Sequence, residues 1–279
     1  MSLMRKALLV SGMFVLAWAS PADAQSPGDP ARDLDLTYRV YYGGFEVLHL
    51  SIDFQMAPKS YEMELKFRTL GMIGSLFPWT MKAYARGRLI KDGVRPVAAG
   101  NRNSWRGKQR WLELRYPDRH PIVTDAHPAP KGDKPTPESL LEAIDLASAV
   151  IAMTRKFDKS RSCGLNLPVF DGRRRYDLVF RSDGIGAIRR NGYSAYAGPV
   201  VKCRVEMKRL AGFKTRHKAY GGWGEEDRAA LVSMGRPFIA GPPVPVKIEI
   251  QTRWGDVVAH LTGAKLAADG TTRELARKE

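Results

Sequence analysis

The stretch Leu34-Asp-Leu-Thr-Tyr-Arg-Val-Tyr-Tyr42, Gly43-Gly44, Phe45-Glu-Val-Leu-His-Leu-Ser-Ile-Asp-Phe54 decides the fold. Leu36, Tyr38, Val40 and Tyr42 alternate with Thr37, Arg39 and Tyr41, and a period of two is what a strand with one buried face requires. The Gly43-Gly44 pair supplies the backbone freedom of a tight connection. Beyond it Leu48, Leu50, Ile52 and Phe54 share one face, while Val47, His49 and Ser51 share the other. Pro58 to Ser60 turns the chain into Tyr61, Met63, Leu65 and Phe67. Successive strands joined by short turns predict an antiparallel meander.

The same pattern continues outward. Residues 79–91, 94–105 and 108–116 read as strands, with Asp92-Gly93 and Arg106-Gly107 as hairpin turns. Between them and the opening meander, residues 71–79 (GMIGSLFPW) are apolar without alternation, which fits a short helix or a loop lying across an apolar face. Residues 117–136 are a proline-rich break. Thr136 then caps a helix, Pro137 suits its first position, and apolar residues recur at helical spacing to about Lys156. After Cys163, strands are expected at 166–170, 173–181, 199–209 and 213–219, with turns at Asp171-Gly172 and Asp183-Gly184. Val246, Ile248, Ile250 and Thr252 alternate, Gly255-Asp256 turns, and Val257 to Leu261 returns.

The expectation is a mainly β fold: a large curled antiparallel sheet or half-barrel of roughly ten to twelve strands with one central α-helix. It occupies a single domain over residues 34–264, and the charged segment 265–279 reads as a frayed tail.

The N-terminus has the three parts of a secretory signal. Arg5 and Lys6 are basic, Ala7 to Ala19 is apolar apart from Ser11, and Ala22-Asp23-Ala24 offers small residues for cleavage after Ala24. A membrane anchor needs about 20 apolar residues, and Ser20, Pro21 and Asp23 end the run early. Residues 1–24 therefore read as a cleaved signal peptide and 25–33 as a flexible leader, which places the mature chain in the periplasm. Cys163 and Cys203 are the two cysteines. In an oxidising compartment they are expected to form a disulfide, since they are not spaced as a redox C-x-x-C pair and cannot alone hold zinc.

Formal net charge is +16. For an exported chain the matching polyanions are phospholipid headgroups, lipopolysaccharide phosphates or wall polymers, not nucleic acid. Arg102, Arg106, Lys108 and Arg110 form one local concentration and Arg173, Arg174 and Arg175 another.

Four elements in order resemble the bacterial envelope family known as domain of unknown function 3108. They are the Tyr38-to-Gly44 hairpin, the helix around Asp145-Leu-Ala-Ser-Ala149, Cys163 ahead of Pro168-Val-Phe-Asp-Gly-Arg-Arg-Arg-Tyr-Asp177, and Cys203-Arg-Val-Glu-Met207 with the closing hairpin from Pro243 to Leu261. Leu146 stands where the family usually has proline. The resemblance spans about residues 34 to 264. It implies a signal peptide and a β-rich fold with no established activity, in an architecture similar to the curled sheets of periplasmic lipoprotein carriers.

Catalytic and metal-binding signatures are weak. His49, His120, His127, His217 and His260 fall at no metal-ligand spacing. Gly184-Ile-Gly186 lacks the third glycine of a phosphate loop, Ser194 lacks a nucleophile elbow, and Glu225, Glu226 and Asp227 read as solvated. No enzyme activity, cofactor or metal is expected. The leading reading is a binding protein for a lipid-like or amphipathic anionic ligand. Met72, Ile73, Leu76, Phe77 and Trp79 would line or cover an apolar groove, the competing reading being ordinary core. Arg173 and Arg175, sharing one strand face, would receive the anionic group with Arg102. Asp171 reads mainly as an organiser of its turn. The alternative reading is a structural or interaction role, with the basic surface in peripheral contact with membrane or wall.

Overall fold

In the computed structural model, residues 32–130, 134–213, 229–252 and 255–277 are described. The signal peptide, most of the leader and nearly all of the strand expected at 213–219 lie outside them.

Alternation becomes strand pairing. The elements are β1 (Arg32–Tyr42), β2 (Phe45–Ala57), β3 (Ser60–Thr69), α1 (Gly71–Leu76), β4 (Trp79–Ile90), β5 (Gly93–Trp105), β6 (Lys108–Arg115) and β7 (Ile122–His127). They continue with α2 (Pro137–Leu140), α3 (Leu146–Ser160), β8 (Leu165–Phe170), β9 (Arg175–Ile188) and β10 (Gly198–Ala211). The chain ends with β11 (Ala230–Gly235), β12 (Val244–Thr252), β13 (Gly255–Ala268) and β14 (Thr271–Ala276). All strand pairs are antiparallel in one sheet, ordered β7-β6-β5-β4-β3-β2-β1-β13-β12-β11-β10-β9-β8, with β14 added on β13. Two meanders thus join where the first strand meets β13.

The sheet curls but does not close. The segment between α2 and α3 links β8 to the connection before β7: Ile144 N donates to Pro168 O and Phe170 N to Ile144 O, each at 2.9 Å, and Glu142 N donates to Arg119 O at 3.1 Å. Near this seam the β8–β9 turn packs on β6, where Gly172 meets the Leu112 side chain. Arg173 Nη2 also donates to Pro128 O at 2.8 Å.

Helix α3 lies between the two walls of the curl. Ile151 packs with Leu36, Phe54 and Met63 of one wall, while Ala152, Met153 and Phe157 pack with Val169, Phe180 and Cys203 of the other. A helix buried on two sides needs apolar residues over most of its circumference, and α3 supplies them. The Cys163–Cys203 disulfide joins the end of this helical segment to β10, with Cα atoms 5.6 Å apart.

Several expectations are corrected. The helix read from Thr136 to Lys156 is two helices. Thr136 does cap, its Oγ1 accepting from Ser139 N at 3.3 Å, but only for the four residues of α2. Glu142 has a positive φ and Ile144 pairs with Val169, so helical bonding cannot continue. Asp145 caps α3 instead, accepting from Ser148 N at 2.8 Å. The break at 117–136 contains β7, and Asp183-Gly184 lies inside β9 at a bulge, not in a turn. The tail expected to fray forms the end of β13 and β14, an edge hairpin whose exposed charges are compatible with a solvent-facing strand. Fourteen strands are described where ten to twelve were expected. No described helix is long and apolar enough to cross a membrane.

Candidate functional site

Side chains alternate across a strand, so the residues that touch α3 identify the inner face of the whole sheet. Tyr61 reaches Ser148 of α3, and Arg155 and Lys159 donate to the carbonyls of Ile90 and Lys91. The helix therefore covers the inner face at the end carrying the β4–β5 turn. Following the same parity toward the opposite end leads to an apolar surface that no described helix covers. Val40 lies between Leu48 and Ala259, Phe67 between Leu50 and Met81, and Ile250 pairs with Val257. These side chains are half-buried. Val40, Leu48, Phe67, Met81, Ile250 and Val257 stand apart from the two packed core clusters. The inner face is thus a packed core at one end and an apolar trough at the other.

Aromatic residues mark the mouth of the trough. Trp79 of β4 faces Trp105 of β5 across the ladder. Phe67 stacks on Trp79 at 6.0 Å between ring centres, and Phe77 on Trp105 at 6.4 Å. Arg106 N donates to Pro78 O at 3.0 Å, tying the β5–β6 turn to the segment after α1. On β6, Lys108 lies opposite Trp105 and Arg110 opposite Asn103, on the face that buries Leu112 and Leu114 further along. Both cations are exposed, and neither forms an ion pair among the described residues. An apolar surface with two cations at its rim has the polarity to hold an amphipathic anion.

The structure places the sequence-predicted residues unevenly. Trp79 is at the mouth. Met72, Ile73, Leu76 and Phe77 are exposed at the tip, so they are neither core nor trough wall. Helix α1 buries none of its residues, because its six residues project beyond the strand ends.

The arginine pair is not formed. β9 begins at Arg175, so Arg173 lies in the turn and the alternation rule does not link them. Arg175 is buried and held by the protein, donating to Ser139 O at 2.7 Å, Tyr176 O at 2.6 Å and Asp177 Oδ1 at 2.6 Å. Asp171 organises the turn as expected. Its carboxylate accepts from Arg173 N at 3.0 Å, Arg174 N at 2.8 Å and Arg174 Nε at 2.8 Å. Arg102 is exposed on the outer face, opposite Trp111. Lys108 and Arg110 are the cations that the sequence marked as a cluster without showing which way they faced. Their spacing from Leu112 and Leu114 was the available signal.

Two further clefts flank α3. One of about 620 Å³ lies between the β4–β5 turn and β8, lined by Val94, Pro96, Tyr116 and Leu165 with Lys156 at its rim. Another of about 960 Å³ lies among the β9–β10 loop, the end of β11 and β14. Inside the core, Asp145 accepts from Ser148 Oγ at 2.5 Å and from Tyr116 Oη at 3.3 Å. Burial holds its carboxyl above the usual carboxylate range. Among the described residues no three His, Cys, Asp or Glu side chains gather as a metal site.

Comparison with known proteins gives a family. The family described as "Protein of unknown function (DUF3108)" matches residues 37–262. No curated protein matches the chain. Among solved structures, a β-barrel-like protein of domain of unknown function DUF1849 from Brucella abortus is similar in fold. It shares 10% identity, covering 86% of this chain and 98% of its own, with a TM-score of 0.49.

Proposed function

The chain belongs to the DUF3108 family, and from that premise we propose that it is an exported, non-catalytic binding protein for a lipid-like anionic amphiphile. The signal-like segment ending at Ala24 directs it to the periplasm. The acyl portion of the ligand lies on the trough formed by Val40, Leu48, Phe67, Met81 and Ile250, and Lys108 and Arg110 receive the anionic group.

The observation that carries this reading is the division of one continuous inner face into a helix-packed half and an apolar half that no described helix covers. Apolar surface left in water costs about 25 cal/mol per Å². An apolar chain laid along the trough removes that cost, and the rim cations give the ligand its orientation. Purified protein titrated with a fluorescent long-chain fatty acid tests the proposal. Saturable binding is expected, weakened about tenfold by Lys108→Ala with Arg110→Ala and more by Met81→Gln with Ile250→Gln. Binding unaffected by both pairs would reject this site.

A further inference from the structure

Contiguous exposed apolar side chains mark an interaction surface. Phe45 is 79% exposed, Met72 78% and Leu76 60%, with Ile73 at 42%, Phe77 at 42% and Trp105 at 41%. All six lie in or directly beside three connections at one end of the sheet: the β1–β2 turn, the α1 segment and the β5–β6 turn. Since β1 to β6 are successive neighbours, these connections lie side by side. Leu70 N donates to Val47 O at 3.0 Å, and Arg106 N to Pro78 O at 3.0 Å, so the backbones of the three are linked.

Around the α1 segment and the β5–β6 turn the charge has one sign, and Glu46 beside Phe45 is paired with Arg39 at 2.8 Å. Residues 69–81 carry no charged side chain, and residues 101–112 hold Arg102, Arg106, Lys108 and Arg110 with no carboxylate. The Arg106 guanidinium sits 5.9 Å from the centre of the Phe77 ring, which holds a cation directly beside the apolar apex.

We propose that this end of the sheet is a membrane-docking tip that seats on an anionic phospholipid bilayer. Met72, Leu76 and Phe45 enter the boundary between headgroups and acyl chains, as the apolar residues of interfacial segments do. Trp105 sits at headgroup level, where indole rings are favoured. Arg102 and Arg106 pair with lipid phosphates, as basic residues beside an anionic surface do. The inference goes beyond the binding role proposed above, because docking needs no ligand in the trough.

Co-sedimentation of the purified protein with phosphatidylcholine vesicles, with and without phosphatidylglycerol, tests it. Preferential partitioning to the phosphatidylglycerol vesicles is expected, falling about tenfold or more in Met72→Ser with Leu76→Ser. A second variant, Phe45→Ser, is expected to fall in the same direction. All three side chains are exposed, so folding is expected to survive, and the fatty-acid titration serves as the check: docking is lost while ligand binding remains. Partitioning that is absent in the parent, equal for both vesicle types, or unchanged in both variants would overturn the proposal. So would a parent that ignores vesicles but dimerises through the tip, with the dimer lost in the double variant, because the tip would then dock a second copy of the chain.

Discussion

Tyr61 Oη lies 2.6 Å from Ser148 Oγ, joining β3 to the first turn of α3 across the interior of the curl. Ser148 in turn bonds Asp145, whose carboxylate also accepts from Tyr116. One buried polar chain therefore fixes how far the helix is inserted, and so where the packed half of the inner face ends.

The cap should be separable from its charge. Replacing Asp145 by Ala removes the acceptor for three donors and is expected to cost about 2 kcal/mol or more. Asn keeps an acceptor for Ser148 N and carries no charge. Burial raises the Asp145 pKa in the folded state. The folded chain thus holds this proton to higher pH, and stability is lost as pH rises above the unfolded value of about 3.9. Asp145→Asn should therefore gain on the parent between acid and neutral pH, as read by urea unfolding. An Asn variant that loses ground over that range would contradict the assignment.

His260 has the opposite sign. It lies against both Tyr193 and Tyr41, with ring centres at 5.6 and 5.9 Å, and the two tyrosine rings meet each other at 5.2 Å. Burial, aided by Lys247, pushes its pKa down to about 4 from 6.5. The unfolded chain takes up the proton first, so stability should be complete above pH 6.5 and fall as pH drops toward about 4. A His260→Gln variant should flatten that part of the stability curve, and thermal unfolding across the range checks it.

The disulfide closes a loop spanning 40 residues and lies wholly inside the core between α3 and β10. Replacing both cysteines by serine should destabilise by about 4 kcal/mol in the chain-entropy account, with a further loss from two buried hydroxyls. Equilibrium unfolding of the double variant beside the parent gives the figure. A difference below about 1 kcal/mol would mean that the helix and β10 are held by packing alone.

Much of this was legible, and the failures have physical causes. Period-two alternation gave β1 to β6, β12 and the first part of β13 because one face of each is buried and the other wet. It could not give Lys108 and Arg110 their function, because rim cations on an inner face look like outer-face charges until the register is known. The helix start was misplaced because Thr136-Pro137-Glu138 is a true capping sequence for a helix of one turn. The second signal, Asp145 followed by Ser148, was present but lay inside an apparently continuous apolar period. The 71–79 run gave no alternation because most of it is the short helix α1 and the residues after it, which bury no side chain, and exposure of that kind has no sequence signature distinct from core.

Gly172 tests the seam. Its φ is +85°, and a Cβ there would lie 2.4 Å from Leu112 Cδ2. Gly172→Ala should cost about 2 kcal/mol or more through backbone strain and displacement of Leu112. Gly172→Ala should cost less in a Leu112→Ala background, where the Cβ meets no leucine methyls. Unfolding of the single and double variants supplies the comparison.

The central claim is that the apolar half of the inner face, which no described helix covers, carries an amphipathic anion. Native mass spectrometry of protein purified under mild conditions, followed by solvent extraction, tests it most directly. A discrete lipid-sized adduct, retained when Met72 and Leu76 are changed to serine and lost when Met81 and Ile250 are changed to glutamine, is the predicted result. A parent of clean unliganded mass that takes up no lipid when exposed to anionic phospholipid would contradict it.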